Sequence, residues 1–342
     1  MGAQDSNLMN LVEKALGADG MESVVELMTI PSGFAIWESG WVSRKEMAQA
    51  LNMLLFADLL QRVPSGRRYT EQVALQGGKV FHDHGALRTV RWVENGALPP
   101  GESAFTRILE PLGYRLNGVF PLDRIGMTGR SYAQQDCPDQ IAQFFVSELH
   151  PQKFSEPFQD AVTRVLSSSV DPLSPTAQFM LHELARDGRI PFASAVSLLP
   201  QLLACFGRQH ATPDLADYEI LLAESAEMAW IATEGNAFNH VTDRVDDVQA
   251  LAEQLRARQY PIKEAVEVSR SGRIRQTAFR ADPVVRQFRD ADGQLTERSV
   301  PGSFYEFISR DSSSDAATQQ PKLDLGFDAG NAQAIFKMTA AA

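Results

Sequence analysis

Apolar residues recur at helical spacing through the first eighty positions. Residues 8–16, 21–28 and 43–60 each predict a helix, the last with Met47, Leu51, Leu54, Leu55 and Leu59 along one stripe. Ser43 followed three residues later by Glu46 has the form of a capping box at that helix's start. Residues 64–67 read as a turn. From Gly77 the period changes: residues 80–93 mix β-branched and aromatic side chains with His and Arg, and read as a strand beginning near His84. A short helix at 104–112 and strands at 117–121 and 141–149 follow.

Helical spacing returns between 151 and 228, with segments at 158–166, 176–185, 191–203 and 218–228 separated by Pro172, Pro175, Pro200 and Pro213. A second mixed region starts at Trp230. It predicts a strand over 238–245, a helix over 247–259, and strands near 262–268, 274–279, 284–288 and 303–309, with reversing turns at Ser271-Gly272 and Asp290 to Gly293. The strand, helix, strands order has then occurred twice, a repeat of pattern rather than of sequence.

The expected architecture is therefore α+β, in four stretches. A helical region (1–76) precedes a first half-core (77–150), a helical insertion (151–229), and a second half-core with a closing segment (230–342). Within the last stretch, 311–320 reads as a polar loop, and 327–338 is apolar enough to dock back on the body.

The repeat matters because of where the histidines fall. Of six His, His84 and His240 each open the first strand of one unit. If the two units pair side by side into one curved sheet, both imidazoles enter the same cavity, and a carboxylate from a late strand can join them. Glu306 alternates with Phe304 and Ile308 on its own side and with Tyr305 and Phe307 on the other; a carboxylate sharing an apolar face is costly to bury without a cation or donor. Two His and one carboxylate suit Fe(II) with open positions for a chelating substrate and O₂. Zn(II), Ni(II) or Mn(II) on the same ligands would support chemistry that needs no O₂.

Strict alternation places His82 on the face of His84, as a substrate or outer contact, and Asp83 on the opposite face. Arg88 shares the parity of His84 and can pair with a substrate carboxylate or with a neighbouring acid. Thr242, Arg244, Gln276 and Thr277 are polar strand residues that can orient a ligand or serve the sheet alone. Arg270, Arg273, Arg275 and Arg280 form a basic group that either faces a small anion or is a solvated strand face.

Composition narrows the field. The 342-residue chain is 44% hydrophobic and carries 43 acidic against 32 basic residues, for a net charge of −11; a general attraction to nucleic acid or anionic lipid is not expected. Cys137 and Cys205 stand alone without CxxC spacing, which excludes a thiolate zinc site and fits a reducing, cytoplasmic setting. No stretch is long enough to cross a bilayer, and no feature points to an oligomeric state. Dinucleotide, P-loop, zincin and Gly-x-Ser-x-Gly marks are all missing.

At His84-Gly-Ala-Leu-Arg88, Asn239-His240-Val-Thr242-Asp-Arg244, Arg275-Gln276-Thr277 and Phe304-Tyr305-Glu306-Phe307, the sequence resembles the 2-oxoadipate dioxygenase/decarboxylase family, itself similar to the glyoxalase-like vicinal oxygen chelate enzymes. The resemblance runs from about Val42 onward. It implies two glyoxalase-like β units around a metal site, metal binding by His84, His240 and Glu306, and a substrate-holding role for Arg88. It also implies conversion of 2-oxoadipate by Fe(II) and O₂ to 2-hydroxyglutarate and CO₂ in lysine degradation. The chain looks shorter than the members best linked to that reaction. A metal-dependent lyase, isomerase or hydrolase, or an inactive small-molecule-binding protein, stays open beside it.

Overall fold

The computed structural model describes residues 6–34, 40–314 and 321–330. It opens with α1 (Asn7–Leu27), where the two expected helices are one element interrupted at Gly17, whose φ of 76° suits glycine. After β1 (Trp41–Ser43), the capping box starts α2 (Arg44–Arg62): Ser43 Oγ accepts from the Glu46 amide, and the Glu46 carboxylate accepts from the Ser43 amide at 2.8 Å. The turn expected at 64–67 is instead the first turn of α3 (Pro64–Leu75), because Pro64 occupies an initial position where a missing N–H costs no helical bond.

The first mixed unit comprises β2 (His82–Val90), α4 (Ser103–Leu109), β3 (Tyr114–Leu122), β4 (Met127–Gln134) and β5 (Gln143–Leu149). A helical stretch follows: α5 (Glu156–Leu166), α6 (Pro175–Asp187), β6 (Arg189–Pro191, paired antiparallel with β1), α7 (Phe192–Ala204), α8 (Leu215–Glu224) and α9 (Ala226–Glu234). The single helix expected at 218–228 is split at Ser225, which leaves the helical backbone at φ −147° and caps α9 by accepting from the Met228 amide.

The second unit is β7 (Phe238–Arg244), α10 (Val248–Ala257), β8 (Glu267–Val268), β9 (Ile274–Ala278), a hairpin of β10 (Pro283–Arg289) and β11 (Leu295–Pro301), then β12 (Phe304–Arg310). Of the strand expected over 262–268, only an isolated bridge from Ile262 to Phe279 and the two residues of β8 form. β13 (Ser312–Ser314) and β14 (Pro321–Leu323) pair antiparallel, so the stretch expected as a loop begins with a short strand; residues 315–320 and 331–338 of the expected loop and closing segment lie outside the described residues.

The two units build one curled eight-stranded sheet in the order β3-β4-β5-β2-β7-β12-β9-β8. Each unit repeats the other: β2 lies parallel to β5 and β7 parallel to β12, while β2 and β7 meet antiparallel at the centre. Tyr305, Phe307, Val241, Phe238 and Phe144 turn to a core shared with α1, α2, α4 and α7, which covers one face. The opposite face carries Phe304, Glu306 and the two histidines.

Two irregularities aim those histidines. Along the β2–β7 ladder, His82 pairs with Asp243 and His84 with Thr242, which leaves Asp83 as an extra residue; Ala86 pairs with His240 and Leu87 with Phe238, which leaves Asn239 as another. Each bulge falls one residue before a histidine. A bulge turns a strand and resets its alternation, so the parity argument for His82 and Asp83 fails where it matters.

Candidate metal centre

The three inner strands place the ligand set by register. His84 on β2 and Glu306 on β12 both lie opposite Thr242 on β7, while His240 stands two residues earlier on that middle strand, opposite Phe304. The His84 and His240 rings are 5.6 Å apart and nearly perpendicular. Glu306 Oε2 lies 2.8 Å from His240 Nε2 and 3.7 Å from His84 Nε2. Thr242 Oγ1 stands 3.1 Å from both His84 Nε2 and Glu306 Oε2, donating to the carboxylate. One ligand atom from each of the three buried residues lies within 4.8 Å of the others.

This arrangement fits a divalent cation. Glu306 Oε1 is buried and has no hydrogen-bond partner among the described residues, an unmet demand that is rare in a folded interior. Burial opposes the Glu306 charge, yet His240 and then His84 hold its pKa down at about 2, so the carboxylate is ionised over the whole physiological range. Burial lowers His240, against the pull of Glu306, which favours the neutral imidazole a metal needs. His84 is raised, since Asp83 and Glu306 together outweigh its burial.

The remaining candidates separate. Arg88 is fully buried, with its guanidinium 4.9 Å from the Trp230 ring centre and its carbonyl accepting from Asn236 Nδ2 at 2.8 Å. Burial pushes its pKa down to about 10 against Glu227, and its charge is close enough to contribute to the depression of His240. His82 packs its ring 5.7 Å from that of Phe56 of α2, and burial pushes its pKa down to about 3, with His84 adding to the depression. The bulge at Asp83 explains that placement.

Asp83, expected on the opposite face, instead lies 2.8 Å from His84 Nδ1. Arg244, the last residue of β7, lies over the Phe81 ring at 3.8 Å, donates to the Asp139 carbonyl, and has Nη1 3.8 Å from Asp83 Oδ2. Thr277 pairs in register with Phe307 and donates to the Ala265 carbonyl at 3.1 Å, away from the ligand set, whereas Gln276 is buried opposite Ile308. In the basic group, Arg275 pairs with Asp311 at 3.0 Å on the surface.

Two features escaped the sequence reading. Asp83 was hidden by the bulge. Phe327, from the segment after β14, meets the His84 ring edge-on at 4.8 Å and also touches Phe145 and Phe120. Its segment is held where Asn117 Nδ2 and Gln143 Nε2 donate to the Leu325 carbonyl at 3.1 and 3.2 Å. The apolar composition of 327–338 was its signal, without indicating which residue reaches the centre.

Fold and site together define a protein of two paired half-barrel units with a buried two-histidine, one-carboxylate centre between them. The chain belongs to the 2-oxoadipate dioxygenase/decarboxylase family, whose profile matches residues 55–337. It is similar to a Ralstonia eutropha JMP134 protein assigned to the glyoxalase superfamily, with 59% identity and a TM-score of 0.89 over 95% of this chain and 99% of that one. The rice (Oryza sativa) hydroxyglutarate synthase, solved in complex with 2-oxoadipate, has the same fold at 18% identity, with a TM-score of 0.66 over 92% of this chain and 95% of that one. The chloroplastic 2-oxoadipate dioxygenase/decarboxylase of Arabidopsis thaliana is 28% identical over 143 residues, a match that spans 37% of this chain and only 38% of the relative. No described helix is long and apolar enough to cross a membrane.

Proposed function

We propose that this protein is an Fe(II)-dependent dioxygenase and decarboxylase that converts a 2-oxo acid, 2-oxoadipate foremost, and O₂ into 2-hydroxyglutarate and CO₂. The observation that carries the reading is the buried His84, His240 and Glu306 set, with Glu306 Oε1 unpartnered among the described residues, in a chain of this family. The rice relative's 2-oxoadipate complex supports the choice of substrate.

When bound, the metal supplies a Lewis-acidic centre with open positions at which a 2-oxo acid chelates and O₂ is activated. The chain's own residues do the rest. Thr242 donates to Glu306 and keeps its carboxylate turned toward both imidazoles. Arg88, cationic and buried beside His240, holds a substrate carboxylate through its planar donor fork. Phe304, tilted against the His240 ring at 4.7 Å, and Phe327, on His84, keep water from the reacting atoms. In the balanced reaction, the bond between C1 and C2 breaks and C1 leaves as CO₂; one atom of O₂ joins C2 in the new carboxylate, and the other enters a C–H bond at C3, whose hydrogen ends on the new hydroxyl.

Mass spectrometry of the product formed under ¹⁸O₂ tests this. The expected product is 2-hydroxyglutarate carrying two heavy oxygens, less any later exchange in water. Equal turnover under nitrogen, or a product without heavy oxygen, contradicts it and favours an O₂-independent metal enzyme.

A further inference from the structure

A metal-bound imidazole keeps its tautomer and ring angle through the partner of its second nitrogen. The two histidines here differ in that respect. His240 Nδ1 has no described partner, whereas Asp83 Oδ1 lies 2.8 Å from His84 Nδ1. Asp83 is itself fixed from several directions. Arg310 Nε donates to Oδ1 at 3.1 Å and to Oδ2 at 3.0 Å, and its Nη2 donates to Oδ1 at 2.9 Å. Arg244 Nη1 stands 3.8 Å from Oδ2.

The Asp83 and Arg310 side chains are 1% and 0% exposed, a buried charge pair that costs desolvation and gives geometric definition in return. Arg310 has a second task. Its Nη1 donates to the carbonyls of Asp324 at 2.9 Å and Gly326 at 2.6 Å, and its guanidinium lies 4.9 Å from the centre of the Phe327 ring, the ring that meets His84.

We infer that Asp83 is the positioning residue for His84: held by Arg310, it keeps the Nδ1 proton in place and presents Nε2 to the metal. Through Arg310, the same unit anchors the segment that lays Phe327 on that ligand. The inference rests on the assignment of His84 as a metal ligand, and the experiment separates the two.

Anaerobic Co(II) titration, read by the visible absorption of the bound ion, compares the wild type with His84→Ala, Asp83→Ala and Asp83→Asn, each checked for folding by circular dichroism. His84→Ala should abolish tight binding. Asp83→Ala should weaken it by about 10- to 100-fold. Asp83→Asn, which keeps one acceptor oxygen, should fall between Asp83→Ala and the wild type. Wild-type affinity in Asp83→Ala, with His84→Ala unable to bind, overturns the positioning role alone. Wild-type affinity in His84→Ala overturns the ligand assignment and this inference with it.

Should the Asp83 variants not fold, ¹⁵N-histidine-labelled wild type loaded with Zn(II) decides. A protonated Nδ1 and a metal-bound Nε2 at His84 are expected; the reverse tautomer overturns the proposal.

Discussion

The two halves of the sheet share a path but not a chemistry. Aligning β2 with β7 and β5 with β12 by their registers sets His84 against His240, Arg88 against Arg244, Gln143 against Phe304 and Phe145 against Glu306. The second half thus gives the centre two ligands. The first gives one, and puts an aromatic ring where its twin has a carboxylate. The bulges differ as well: the extra residue before His84 is a charged Asp83 clamped by Arg310, while the one before His240 is Asn239, whose buried Oδ1 has no described partner. A two-fold fold has become a one-sided site. On the first half's side of the centre, Phe145, Phe120 and Phe327 pack against one another, and Phe327 lies on His84.

Moving the carboxylate is the sharpest way to break that comparison. Glu306→Ala should bind metal at least about 100-fold more weakly, beyond the loss of an outer hydrogen bond. Adding Phe145→Glu to it should restore metal binding, measured by elemental analysis after dialysis, if the two positions are twins about the centre. No recovery in a folded double variant would mean that the halves match in backbone only. Arg88→Lys comes next. Loss of a two-pronged, charge-assisted contact should lower kcat/KM about 10- to 100-fold while metal content stays unchanged; unchanged kinetics would remove Arg88 from substrate binding.

A smaller effect concerns packing where the halves differ. A Cβ at Gly85 would fall 2.0 Å from the Phe238 ring, whereas its counterpart Val241 is accommodated. Gly85→Ala should cost about 1–3 kcal/mol in urea unfolding, and a neutral result would contradict the tight β2–β7 seam. The smallest lies outside both halves. Burial pushes His210 down to about 4, so the folded state holds this proton less tightly than the unfolded chain does. Its contribution is present above about pH 6.5 and is lost as pH falls toward about 4. Between pH 7.5 and 5.5 the wild type should lose about 1 kcal/mol more than His210→Gln, without any change in metal content.

Much of this was legible in the sequence, for identifiable reasons. The Ser43 and Glu46 capping box is a local device and formed as read. The twin placement of His84 and His240 followed from a repeated order of elements, and the cost of a carboxylate between Phe304 and Ile308 singled out Glu306. What escaped depends on long-range geometry. β4 is built from small and polar residues (MTGRSYAQ) that carry little strand signal until β3 and β5 flank them. The bulges at Asp83 and Asn239 leave no mark in an alternation pattern. They nevertheless decide that Asp83 meets His84 and that His82 packs on Phe56. Phe327 reaches His84 only because Arg310, Asn117 and Gln143, from three different strands, hold the backbone before it.

The central claim is tested most directly by O₂ uptake. The protein is loaded anaerobically with Fe(II), verified for bound iron, and given 2-oxoadipate in air-saturated buffer beside iron-only and protein-only controls. Rapid uptake of one O₂ per CO₂ released, lost in Glu306→Ala, is the predicted result. No uptake by protein that holds its iron would contradict 2-oxoadipate oxygenation at this centre.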